Sequence, residues 1–266
     1  MNTHKIDVIV RKEWAEVFKN RMVLFTVAFL PLLMTAIPLS VIYVIGASGA
    51  AGASMNELPA NVTASMCPPG LSGGACMQVF LVSQFMLLFM ILPLAIPGTI
   101  AAYSIVGEKT TRSLEPLLAT PITTAELLIG KCLAAVIPAV IATYGAFVIF
   151  VAGTWVLVAD KGILAALLDA RWLIAIGIVG PLLAVLEVTF ALMVSSRVND
   201  PRVAEQISMV IIVPLLGGFF GQMSGLFILD KQLISVVAIV LVALDVVMGY
   251  FAVQAFQREA ILTRWK

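Results

Sequence analysis

Six uninterrupted apolar runs, each long enough to cross a bilayer as a helix, constrain the fold of this chain more than any other feature. A bilayer core of about 30 Å is crossed by roughly 20 helical residues, whereas a membrane strand shows about 10 residues of alternating polarity. The runs are continuous, so we predict an all-α membrane protein with six transmembrane helices in one domain, residues 1–266. The predicted spans are residues 22–46, 79–106, 132–158, 173–194, 207–229 and 233–256.

Composition agrees with a membrane protein. The 266 residues are 61% hydrophobic and 12% charged, and the mean hydropathy is +1.08. A soluble domain has about 45–50% apolar and about 25% charged residues, so this chain has too few polar groups to cover a water-facing surface. The net charge is +1, and there is no basic face studded with aromatic residues, so we predict no nucleic-acid partner.

The distribution of positive charge predicts the orientation. With a cytoplasmic N-terminus, thirteen of the 16 Lys and Arg residues lie in inner segments, and three lie in outer ones: Lys161, Arg171 and Lys231. Cytoplasmic loops are enriched in Lys and Arg. We therefore expect both termini in the cytoplasm, an external loop at residues 47–78 and a cytoplasmic segment at residues 107–131.

The N-terminal segment, residues 1–21, has the pattern of an amphipathic helix. Its apolar residues recur at helical spacing, and most charges fall between them; they are Ile6, Ile9, Val10, Trp14, Val17 and Phe18. Such a helix can lie in the inner membrane interface as an elbow before the first span. A charged lead-in that only sets orientation would give the same topology.

The external loop contains two cysteines in the string CPPGLSGGAC, Cys67 and Cys76. On an oxidising face of the membrane, two thiols this close in sequence can form a disulfide. Two free thiols are the alternative.

Residues 107–131 read GEKTTRSLEPLLATPITTAELLIGK between two apolar runs. Ser113 can cap a short helix that ends before Pro121, because its hydroxyl can accept a hydrogen bond from a free N–H group at the helix start. Three leucines share one face of this helix: Leu114, Leu117 and Leu118. The residues that border them are Glu108, Lys109, Arg112 and Glu115. Such a ridge can dock onto another protein, or pack on this chain's own helices or on lipid headgroups.

A second helix start follows in the same segment. Thr123 and Glu126 fit a capping box, in which each side chain accepts a hydrogen bond from the backbone N–H of the other residue. The pattern predicts a helix that begins here and continues into the third span.

As a whole, residues 107–131 resemble the cytoplasmic signature of ABC-2 type permeases, the membrane subunits of one class of ATP-binding-cassette exporters. The stretch SSRVNDPRVAEQISMVIIVPLLGG, residues 195–218, is similar to the family's inner loop between spans four and five. The resemblance implies that residues 113–120 form a coupling helix seated in a groove of a separate ATPase. Its implied contacts are Ser113, Leu114, Glu115, Leu117 and Leu118, braced by Glu108 and Lys109.

The resemblance also implies the composition of the complex: two ATPase copies that bind ATP and Mg, and two permeases, either identical or sisters, in a prokaryotic inner membrane. The pathway would lie between the permeases near spans two and five, bordered by membrane lipid. The chain itself shows no P-loop, because Gly130-Lys131-Cys132 lacks the Ser or Thr that must follow the lysine. With a single histidine, His4, it shows no pattern of a metal site or a serine triad either. We therefore predict a subunit that is not an enzyme and holds no cofactor.

Two acidic residues stand inside apolar runs, Glu187 in span four and Asp245 in span six. A carboxylate at the membrane centre costs about 2.5–3.5 kcal/mol on insertion scales, so it faces a partner or water. Each is either a proton or cation site in the pathway or a neutral structural contact. An ion-coupled secondary transporter that uses both carboxyls is the alternative function.

Span five carries glycines at four-residue spacing: Gly217, Gly221 and Gly225. This ridge allows another helix to approach closely, either at a homodimer seam or inside the chain. In span two, Pro93 and Pro97 predict a kink. Apolar walls with few polar groups fit a lipid, a drug, a hydrophobic peptide or a lipid-linked polymer as substrate, and the two acids keep a cation in the set.

Overall fold

The computed structural model describes residues 3–48, 73–110, 122–157, 161–226 and 229–256. These residues form α-helices joined by short turns, one π-helical and one 3-10 segment, and there is no strand among them. The helices are α1 (Thr3–Val17), α2 (Arg21–Ser48), α3 (Gly73–Phe89), α4 (Leu92–Thr110), α5 (Thr124–Leu157), α6 (Lys161–Leu167), α7 (Ala170–Ile174), α8 (Gly180–Arg197), α9 (Pro201–Ser208), α10 (Ile212–Met223) and α11 (Lys231–Ala255).

Six helical stretches in the described residues are long and apolar enough to cross a membrane, which confirms the predicted fold class. They cover Val23–Ile45, Gln78–Glu108, Thr124–Leu157, Ile163–Arg197, Pro201–Met223 and Lys231–Ala255. The chain is a multi-pass membrane protein. Because successive spans alternate in direction, α1, the end of α4, the start of α5 and the turn between α8 and α9 share one end of the bundle. We call it the α1 end.

The third span is longer than a membrane crossing requires. α5 has 34 residues, and at 1.5 Å per residue it is about 51 Å long. A bilayer core is about 30 Å thick, so about 20 Å of α5 extends beyond it. The first turns of α5 contain Glu126 and Lys131, both buried within the protein, and these charges place the extension at the α1 end.

The second span is broken into two helices. α3 ends at Phe89 and α4 begins at Leu92, with a turn at residues 90–91. Pro93 stands at the second position of α4, where a missing N–H removes no helical hydrogen bond. The kink that the prolines of this span predicted therefore lies directly before Pro93, while Pro97 is accommodated inside α4.

The fourth span widens into a π-helical segment, Ala175–Val179, before α8. Pro181 follows at the start of α8, and a proline supplies no N–H for the carbonyl four residues earlier, that of Gly177. The Tyr144 hydroxyl of α5 donates a hydrogen bond to this carbonyl over 3.2 Å. The backbone group that Pro181 leaves free is thus satisfied by a neighbouring span.

The core lies around α4, which packs against α8 and α5, while α2 packs along α5. Near the end opposite α1, the rings of Phe89, Phe150 and Trp172 pack in tilted and edge-to-face arrangements, with centroids 5.1–5.9 Å apart. By contrast, α10 and α11 expose large apolar side chains, among them Phe220 and Val246. Apolar faces of this kind suit lipid or another membrane helix.

Candidate functional site: a buried charge cluster at the α1 end

Lys131 of α5 is the centre of a buried polar cluster that joins three helices. Its ammonium Nζ lies 2.7 Å from Glu13 Oε1 of α1 and 2.9 Å from Glu108 Oε2 of α4. It also donates a hydrogen bond to the Ser104 hydroxyl of α4 over 2.8 Å. The side chains of Lys131, Glu13 and Glu108 are only 2–3% exposed. The three helices are therefore linked through one charge.

A second lysine balances the charge of the cluster. Lys12 Nζ lies 2.5 Å from Glu108 Oε1, and the Ser104 hydroxyl donates to Glu13 Oε2 over 2.5 Å. Two lysines thus face two glutamates, with a serine hydroxyl between them. Buried charges are tolerated when they are paired and hydrogen-bonded in this way.

The pairing acts on the pKa values of the α1 groups. Burial raises the pKa of the Glu13 carboxyl. The charge and hydrogen bond of Lys131 and the hydrogen bond of Ser104 lower this pKa by more, so that it lies below its ordinary value. Burial lowers the pKa of the Lys12 ammonium, and the hydrogen bond and charge of Glu108 raise it above its ordinary value. Both groups are held in their charged forms around neutral pH.

α1 runs alongside the start of α5 and is fixed by two further contacts. Ile9 packs on Gly130 so closely that a Cβ there would lie 2.7 Å from Ile9 Cγ2. The Trp14 indole N–H donates to the Ala134 carbonyl over 2.9 Å. Pro138 leaves this carbonyl without its helical donor, because proline has no N–H. Trp14 therefore supplies a hydrogen bond that the third span itself lacks.

The start of α5 has the predicted capping box. The Thr123 N–H donates to Glu126 Oε2 over 3.1 Å, and the Glu126 N–H donates to the Thr123 hydroxyl over 3.2 Å. Lys5 of α1 lies 3.9 Å from Glu126 Oε2. The box therefore both begins the helix and contacts α1, which confirms this prediction.

The family model described as ABC-2 family transporter protein matches residues 8–239. This match takes in α1 from Val8 onward, the charge cluster, the first five spans and the start of the sixth. The chain belongs to the ABC-2 transporter family. Membership agrees with the resemblance carried by residues 107–131 and makes this ABC-2 permease a membrane transport component. No curated protein matches the chain.

In this ABC-2 permease, the described residues include only part of the predicted coupling region. Glu108 forms an ion pair with Lys12 of α1, and its predicted role as a brace of the coupling helix stays a prediction. The other predicted coupling side chains lie outside the described ones: Lys109, Ser113, Leu114, Glu115, Leu117 and Leu118. The side chains of Cys67 and Cys76, which are predicted to form a disulfide, also lie outside the described ones. These predictions stay predictions.

The two acidic residues of the spans do not join the charge cluster. Glu187 is completely buried in α8, and Asp245 of α11 lies near Cys132 of α5. Among the described residues, none forms a hydrogen bond with the carboxylate oxygens of either residue. These two carboxyls therefore lie outside the charge cluster.

The three glycines of span five have different surroundings. A Cβ at Gly217 would meet no atom within 4 Å, whereas Gly221 is buried. Gly225 lies beyond α10, which ends at Met223, and has a φ of 73°. The Gly225 N–H donates to the Gln222 carbonyl, and the Leu226 N–H donates to the Gly221 carbonyl. This hydrogen-bond pattern is typical of a glycine that ends a helix. The predicted close packing at Gly217 and Gly221 stays a prediction.

Neither Glu13 nor Lys131 is among the site residues predicted from the sequence. Glu13 stands in the apolar stripe of α1 with Ile6, Val10 and Val17. An acid on the buried face of an amphipathic helix indicates a buried cationic partner. That signal is present in the sequence, but the partner lies 118 positions away.

Proposed function

We propose that the chain is the permease subunit of an ABC exporter whose pathway forms between two permeases and is driven by a separate ATPase. The partner permease is a second copy or a sister chain, and two ATPase copies bind the ATP and Mg. Family membership supports a transport role. The lack of a P-loop in the sequence supports a separate ATPase.

The observation that carries this proposal is the position of the charge cluster around the proposed coupling helix. Glu108 precedes residues 111–121, and Glu126 and Lys131 follow them. Both chain ends of the segment are therefore joined to α1 by ion pairs of the buried residues Glu108, Glu126 and Lys131. A displacement of the segment by a bound ATPase would move α1, α4 and α5 together, since the buried pairs resist separation.

The orientation follows from the same proposal. The α1 end faces the cytoplasm, where the ATPase has access to ATP, and both termini lie on that side of a prokaryotic inner membrane. The excess of Lys and Arg in the inner segments supports this orientation.

The substrate class is apolar or cationic. The exposed faces of α10 and α11 are built from large apolar side chains, which suits a lipid, a drug, a hydrophobic peptide or a lipid-linked polymer moving between two permeases. Glu187 and Asp245 are the groups that would suit a cation.

The second candidate is an ion-coupled secondary transporter. It is favoured by one observation, that Glu187 and Asp245 each lie in a span without a hydrogen-bond partner among the described residues. The two functions separate in reconstituted vesicles. An exporter of the proposed class loses transport when its ATPase is inactivated, whereas a secondary transporter loses it when the ion gradient is collapsed.

The central experiment changes the proposed apolar ridge. Leu117→Asp with Leu118→Asp should leave the chain inserted with six spans but abolish co-purification of the ATPase and stimulation of its ATP hydrolysis by the permease. The matched control is Leu58→Asp with Leu71→Asp in the predicted external loop, residues 47–78. This variant should retain both the bound ATPase and the stimulation of its activity. Normal ATPase retention in the ridge variant would overturn the proposal.

A further inference from the structure

Glu187 is a carboxyl that the charge cluster does not explain. Its side chain is completely buried in α8. Neither carboxylate oxygen has a hydrogen-bond partner within the part of the chain that the structure describes. An ionised carboxylate in such surroundings is strongly disfavoured, because water is replaced by groups that do not compensate its charge.

The carboxyl lies directly against the backbone of α4. A Cβ on Gly98 would be 2.5 Å from Glu187 Oε1 and 3.2 Å from its Cδ, so a side chain at position 98 would displace the carboxyl group. The Ser208 hydroxyl of α9 lies beside the carboxyl, but it donates its hydrogen bond to the Glu205 carbonyl over 2.9 Å. Next to Gly98, the Thr99 hydroxyl donates to Glu205 Oε1 over 2.6 Å. Glu187 therefore fills a contact where α4, α8 and the first turns of span five meet.

The described charged groups on the helices packed around α8 are engaged or directed elsewhere. On α4 and α5, Glu108, Lys131 and Glu126 belong to the α1 contacts. On α11, Asp245 lies near Cys132. On α9, Glu205 accepts from Thr99, and Arg202 is exposed to solvent. The observed packing thus suits a neutral carboxylic acid at position 187.

We propose that Glu187 is a proton-binding site that is occupied while α4 and α8 are packed together and releases its proton when they separate. Separation lets water reach the carboxyl, the O–H bond breaks, the proton passes to water and the carboxylate keeps the electron pair. Repacking takes a proton up again. The statement that an ATPase drives the separation rests on the proposed function. The protonated state of Glu187 in the resting chain is independent of that function.

Infrared spectroscopy of the full-length chain tests the resting site directly. At neutral pH, a carboxylic-acid C=O band should be present, should shift on labelling all glutamates with ¹³C, and should disappear in Glu187→Gln. Asp245→Asn is the control for the other carboxyl in a span and should keep the labelled band. Because the label needs no substitution, the test stands even where a variant folds poorly. Absence of a glutamic-acid band in the wild-type chain at neutral pH would overturn the proposal.

A matched pair of glycine variants tests the link to packing. Gly98→Ala places a methyl group at the carboxyl and should weaken the carboxylic-acid band at neutral pH, because the loosened contact admits water, which stabilises the ionised form. Gly107→Ala, on the same helix, meets no atom within 4 Å and should leave the band unchanged. An unchanged band in Gly98→Ala would contradict the link between packing and protonation.

The purified complex with its ATPase then tests the cycle. In a weakly buffered solution with a pH dye, the first turnover of ATP should cause a transient proton release in the wild type, beyond that from hydrolysis and reversed on repacking, and Glu187→Gln should lose this excess. A resting acid band without any excess release would overturn the release step alone. Failure to obtain an ATPase complex would count against the proposed function and leave the resting site intact.

Discussion

Replacing Lys131 with methionine should strongly destabilise the α1 end of the protein. The ammonium is buried with two carboxylates at 2.7 and 2.9 Å. Without it, Glu13 and Glu108 face only Lys12, which leaves a buried net charge of −1. Removing one partner of a buried ion pair costs about 3–5 kcal/mol, so we expect the free energy of unfolding to fall by about that amount.

A second substitution should restore part of this loss. Glu13→Gln in the Lys131→Met background leaves Lys12 paired with Glu108 and no buried net charge. The double variant should therefore be more stable than the sum of the single changes predicts, by about 0.5–3 kcal/mol, the range for residues in one network. This coupling isolates the pairing from the loss of packing.

The assay is unfolding of the detergent-solubilised chain by increasing SDS, followed by circular dichroism. The control is Arg11→Met, which removes an ion pair on the same helix whose side chains are 77% and 56% exposed. Such pairs contribute about 0–1 kcal/mol. If Lys131→Met were no more harmful than Arg11→Met, or if the double variant were simply additive, the reasoning about the cluster would be wrong.

Three further changes probe the contact between α1 and α5 in the same unfolding assay. Trp14→Phe removes the donor to the Ala134 carbonyl and should cost about 1–3 kcal/mol, because a buried acceptor is left unsatisfied. Gly130→Ala sets a methyl group 2.7 Å from Ile9 and should cost about 1–3 kcal/mol through overpacking. Acidification should also destabilise the protein, because the pKa of Glu13 is lowered in the folded state. This contribution is full above the unfolded pKa of about 4.3 and is lost as pH falls through the lower, folded pKa.

Each of these changes has a counterpart that should behave differently. Gly145→Ala, also on α5, meets no atom within 4 Å and should be neutral or stabilising; an equal loss in both glycine variants would contradict the close contact. Trp14→Tyr keeps a polar donor on a shorter ring and should retain more stability than Trp14→Phe. In Glu13→Gln, the loss on acidification should be shallower, and an unchanged pH profile would show that other carboxyls govern it.

Much of the architecture follows from local sequence patterns. Apolar runs predict the spans because a bilayer requires a fixed helix length, and the capping box at Thr123 and Glu126 predicts a helix start because both partners lie within one turn. The four-residue spacing of glycines in span five is least informative at Gly225. Its four-residue spacing suggests a ridge, yet its positive φ, which no spacing rule reveals, places it after the helix.

The charge cluster could not be assembled from the sequence in the same way. Glu13, Ser104 and Lys131 meet only after three helices have packed, and a lysine at the edge of an apolar run ordinarily marks the side of the membrane. Trp14 and Tyr144, which donate to the Ala134 and Gly177 carbonyls, also reach their partners only after the helices have packed. A proline shows which carbonyl loses its donor, but the fold decides which side chain replaces it.

The hydrogen bond from Trp14 of α1 restrains the bending of the third span. A proline inside a long helix is ordinarily a hinge, since the helix there lacks one hydrogen bond and is relieved of a ring clash by bending. Here Trp14 bonds to the carbonyl that Pro138 leaves free, and this braces the hinge from outside the helix. If α1 were pulled away, α5 would lose that brace and could flex between its two halves. Through this hydrogen bond, the amphipathic helix α1 restrains bending of the third span at Pro138.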